Sequence, residues 1–168
     1  MRRRDSAARK GPVSALMESA DWKALCDAEN ALCKAGKILC GAGCVLRSGE
    51  DSASIDPTLA ASVLDLIGHA DKAIRQSLDL LAGIENPSYG EIIGGIIGEV
   101  YSLHGLVIVA RYALMNRDQI ECDTAVNPFA DALEIAGGIA GQDPGDGIAG
   151  KIGAGLLSLT AQAKGARP

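Results

Sequence analysis

Four of the five cysteines of this chain, Cys26, Cys33, Cys40 and Cys44, fall in one short stretch at spacings of seven, seven and four residues. On a helix these positions lie within about 40° of one another and spread over about 27 Å of axis. One zinc ion cannot gather all four, because thiolate ligands must meet about 2.3 Å from the metal. Cys40 and Cys44, one turn apart, could supply two ligands, with His69, His104 or Cys122 completing a set. The spacing is that of neither a zinc knuckle nor a zinc ribbon. The simpler reading is a seam of small, buried, reduced thiols that pack as apolar side chains, so no metal and no other cofactor is expected.

The acid–base inventory is equally sparse. Glu29 shares a heptad column with Trp22, Gly36 and Gly43, which predicts a core position. A carboxylate there needs a cation such as Arg75, Arg111 or His104 from another helix, or it must take up a proton. The structural outcome is an ion pair fixing helix register; the functional one is a ligand-binding acid. His69 and His104 are the two histidines, each at the border of an apolar helical face, and Asp65 sits one turn before His69. Glu29, His69, His104 and Arg111 are therefore the ligand or buried-polar candidates. The chain has no G-x-S-x-G, no H-E-x-x-H and no C-x-x-C, and no catalytic residue is expected.

Two glycine patterns invite comparison with known devices. Gly145 to Ile152 reads both as G-x-G-x-x-G and as G-x-x-x-x-G-K, but Ile152 stands where a magnesium-holding Ser or Thr belongs. Neither reading has a preceding strand, so no dinucleotide or phosphate fold can be built around it. Gly90, Gly94 and Gly98, continued by Ser102, are spaced to let another helix backbone approach closely. Residues 92–110 are nearly apolar and almost long enough to span a bilayer, although Glu99 and then His104 lie inside that window and Arg111 closes it.

The elements that position these residues are helical throughout. Residues 1–13 read as a basic, disordered tail. Leu25, Leu32, Leu39 and Leu46 recur every seven residues and define a first helix over about 14–46. Asp56-Pro57 starts a second, about 57–82, which carries Val63, Ile67, Ala70 and Ile74 inward and turns Asp65, Asp71, Lys72 and Arg75 outward; Gly83 stops it. Asn86-Pro87 starts a third, about 88–116. Its seam is Tyr89, Ile93, Ile96, Val100, Leu103, Val107, Ala110 and Leu114. Because Ile92, Ile97, Leu106 and Ile108 make it apolar nearly all round, it is expected to be the central helix. Asn127-Pro128 and the breaker run 142–147 delimit short helices at about 128–140 and 147–163. The expected fold is a single all-α domain over 14–168: a bundle of three long antiparallel helices plus two short C-terminal ones.

Composition bounds what such a bundle does. With 168 residues, 48% of them hydrophobic and 22% charged, the chain can bury one sizeable core. Aromatics at 3% are thin for a base-stacking or sugar-binding cleft. The first ten residues carry +4, leaving −9 for the rest of a chain whose formal charge is −5. An acidic body argues against specific nucleic-acid binding. The basic start is not followed by an apolar stretch and a cleavage site, so a cytoplasmic protein is expected. No motif assigns the chain to a family. The first reading is a non-enzymatic module that binds proteins and self-associates, a description that an accessory or inhibitor protein of a bacterial or phage system would fit by analogy. A membrane-associated protein using the Gly90/Gly94/Gly98 helix is the second. The third is a small-molecule or metal sensor with a pocket between helices.

Overall fold

Ser19, Asp56 and Asn86 cap three helical starts, and the computed structural model describes residues 12–48, 56–116, 128–143 and 145–165. Helix α1 (Pro12–Met17) ends at a bend, where Ser19, in extended backbone, accepts the Trp22 N–H and opens helix α2 (Ala20–Arg47). The first helix is thus two, and Pro12 and Val13, expected in the disordered tail, begin α1. A serine that accepts from the third residue onward is a stronger local signal than the surrounding helical periodicity. Asp56 accepts the Thr58 and Leu59 N–H groups at 2.6 and 3.2 Å, and Pro57 occupies the first position of α3 (Pro57–Ala82). Those two N–H groups hold the Asp56 carboxyl below its usual range. Asn86 caps a 3-10 turn (Pro87–Tyr89) that runs directly into α4 (Gly90–Met115). Helices α5 (Pro128–Ala140) and α6 (Gly147–Gly165) complete the chain, while Cys122 and Asn127 lie outside the described residues.

No strand occurs among the described residues, and the helices form an all-α bundle, as the periodicity implies. It has four columns. Helices α2, α3 and α4 are the first three; α5 and α6, end to end, are the fourth. The register is fixed by glycines. Gly36 lies against Gly137 and Gly141, Gly43 against Ala130 and Glu134, and Glu29 against Gly153. Moving toward the N-terminus of α2 therefore moves forward along α5 and then α6, so the fourth column runs antiparallel to α2. Between its two halves the chain turns at Gly141 (φ 99°), where a Cβ would collide with the Asp146 carbonyl.

The centre of the bundle is α2, not α4. Leu25, Leu32, Leu39 and Leu46 are fully buried, together with Ala28, Ala35 and Ala42. Each such leucine contributes about 1.5–3 kcal/mol relative to an exposed one. The expectation that α4 is central fails for a steric reason. Alanines and glycines on α2 let α3, α5 and α6 all approach it closely, while the bulkier α4 touches α3, α5 and α6 from the opposite corner. Among its described residues helix α4 buries the seam Ile93, Ile96, Val100, Leu103, Val107 and Leu114, with Tyr89 of the preceding turn. Asp71, expected to face outward, is buried at the α3–α4 contact.

A methyl added at Gly36 would stand 2.9 Å from the Gln142 nitrogen and the Gly137 carbonyl oxygen, both backbone atoms. Gly36→Ala is expected to destabilise the fold by about 1–3 kcal/mol through overpacking. Gly41→Ala, on the same helix with open space around its Cβ, is expected to stabilise it by up to about 1 kcal/mol. Urea unfolding of both variants checks this, and equal effects would contradict the glycine-fixed register.

Candidate interaction surface

The outward half of α4 is built from residue types that a helix surface normally avoids. Tyr101, Leu106, Ile108, Val109, Tyr112 and Met115 are all exposed, with Val109 at 65% and Tyr112 at 69%. At 100° per residue, Tyr101, Ile108, Val109, Tyr112 and Met115 share one face with Gly90, Gly94, Gly98 and Gly105. A Cβ placed on any of those glycines, or on Gly95 beside them, meets no atom of the described residues within 4 Å. The expectation that Gly90, Gly94 and Gly98 pack against another helix is therefore not met within the described chain; they line the outer surface. Ile135 and Ile139 on the neighbouring α5 are also exposed. These side chains leave large apolar groups exposed on α4 and α5.

Two charged residues of α4, Glu99 and Arg111, lie at the borders of the face. Glu99 turns toward α6 and pairs with Lys151 at 2.5 Å, so the carboxylate inside the apolar window is compensated at the bundle surface. Arg111 is exposed. Helix Ile92–Met115 is long and apolar enough to cross a membrane, and only 28% of its apolar window is buried.

The remaining candidates are placed separately. His104 packs against α3, its Nε2 2.8 Å from Asp71 Oδ1, while Asp71 Oδ2 lies 3.1 Å from Arg75 Nε. The imidazole–carboxylate contact has hydrogen-bond length but not hydrogen-bond alignment, and both atoms are shut off from solvent. It is an electrostatic contact that ties α3 to α4. His69 lies outside this cluster, exposed, with Nε2 3.5 Å from Asp65 Oδ2. Glu29 meets none of Arg75, Arg111 or His104 in an ion pair. It lies half-buried across the Gly153 face of α6, where burial alone pushes its carboxyl up. Glu29, His69 and His104 thus face α6, solvent and α3 respectively, and the structure does not gather them into one pocket.

The cysteine seam lies along the α2 contact with α5 and α6. Cys26, Cys33 and Cys40 are half-buried, and burial raises all three thiols, assisted by Glu29 beside Cys26 and Cys33 and by Glu134 beside Cys40. Cys40 donates a long contact of 3.7 Å to the Glu134 carbonyl, while Cys44 is exposed. No group of three or more His, Cys, Asp or Glu side chains among the described residues is placed to hold a metal ion. One polar device escaped the sequence reading. Arg47 bridges Asp131 and Glu134 at 2.5 and 2.8 Å and closes the end of the α2–α5 contact. Those carboxylates raise the Arg47 guanidinium, and Arg47 lowers Glu134. The pairing joins residues more than 80 positions apart, and no local pattern announces it. The Gly145–Ile152 run is the turn into α6, where Gly150 donates to the Asp146 carbonyl at 2.7 Å and packs on Gly145.

No protein-family model matches this chain, no curated protein matches it and no solved structure matches it.

Two outcomes follow from the buried groups. A raised carboxyl favours its protonated form in the folded state, so its contribution is full below the ordinary carboxylate range and is lost as pH rises above it. Glu29→Gln should therefore match the parent in stability near pH 4 and exceed it at pH 7 by under about 1 kcal/mol, since a half-exposed group is solvent-screened. A gap unchanged by pH would contradict the assignment. Iodoacetamide on the folded protein should label Cys44 well before Cys26, Cys33 and Cys40. Equal rates by peptide mass spectrometry would contradict the burial of the seam.

Proposed function

We propose that this chain is a non-enzymatic docking module, a helical bundle that offers the outer face of α4 to an apolar protein partner. The observation that carries this reading is the composition of that face: large exposed apolar side chains beside glycines that no contact within the described chain requires. Each glycine inside a helix costs about 1 kcal/mol relative to alanine. A helix that spends several of them on open positions gains a surface that another backbone can approach closely. The separate positions of Glu29, His69 and His104 offer no shared pocket for a reaction or a small ligand.

Membrane association is the second reading, favoured by the length, apolarity and exposure of Ile92–Met115. Protein docking accounts for more, because glycines add almost no apolar area for lipid to reward, whereas they shape a groove for a helix. A photo-reactive residue at Val109 should crosslink to protein, while one at Gln76, exposed on α3, should not. Flotation of the chain with vesicles of phosphatidylcholine and phosphatidylglycerol at 3:1, without such a crosslink, would overturn the docking reading in favour of the membrane.

A further inference from the structure

We draw no further inference here: the strongest candidate, the outer face of α4 along Tyr101, Ile108, Val109, Tyr112 and Met115, belongs to the docking surface already described, and nothing in the structure shows what covers it.

Discussion

The close approach of α2 to the fourth column is the constraint on which the rest of this bundle depends. Gly36, Gly43, Gly137 and Gly153 remove side chains where helix backbones or half-buried groups come together, and the gap is too narrow for even a methyl group. Such a contact is gained only if both helices keep their register, because a slip of one residue would bring a Cβ into a carbonyl. Arg47, held by Asp131 and Glu134, closes one end of the contact and so favours the same register. The half-buried thiols of Cys26, Cys33 and Cys40 fill the remaining space as small side chains, with their pKa values raised rather than lowered.

The position of α4 follows from this. With α3 on one side of α2 and α5 and α6 on the other, α4 sits at the far corner and closes the square through a single seam. Its register is set by fully buried Tyr89 at its entrance and by the Asp71–His104 contact near its middle. The helix with the most apolar sequence is therefore left with a face outside the core. Glycines on that face meet no other described residue and lower helix propensity, and the proposed docking role rests on them.

The leucine heptads, the Asp56 and Asn86 caps and the Gly83 stop are local signals, and each helix they imply exists. Ser19 was equally local, but the helical pattern on both sides of it concealed the break. The error over α4 has a different origin. Apolarity all round a helix reports what it could bury, whereas the small residues of α2 decided which helix was surrounded. The spacing of Gly90, Gly94 and Gly98 likewise shows that a helix can approach without saying whether it comes from within the bundle, and no described helix does. The contacts of Glu29 with α6 and of Asp71 with His104 could not be read, since each depends on which helix faces which, and that is fixed by contacts 30 to more than 100 residues apart.

Native-state hydrogen exchange on dilute protein, where association is negligible, tests this arrangement most directly. If α2 is the enclosed column and α4 the peripheral one, the slowest amides lie between Cys26 and Val45 and open only with global unfolding, while those of Ile96–Val107 exchange through smaller openings. Slowest exchange in Ile96–Val107, as for a central helix, would contradict the account and remove the exposed face from which the docking function is drawn.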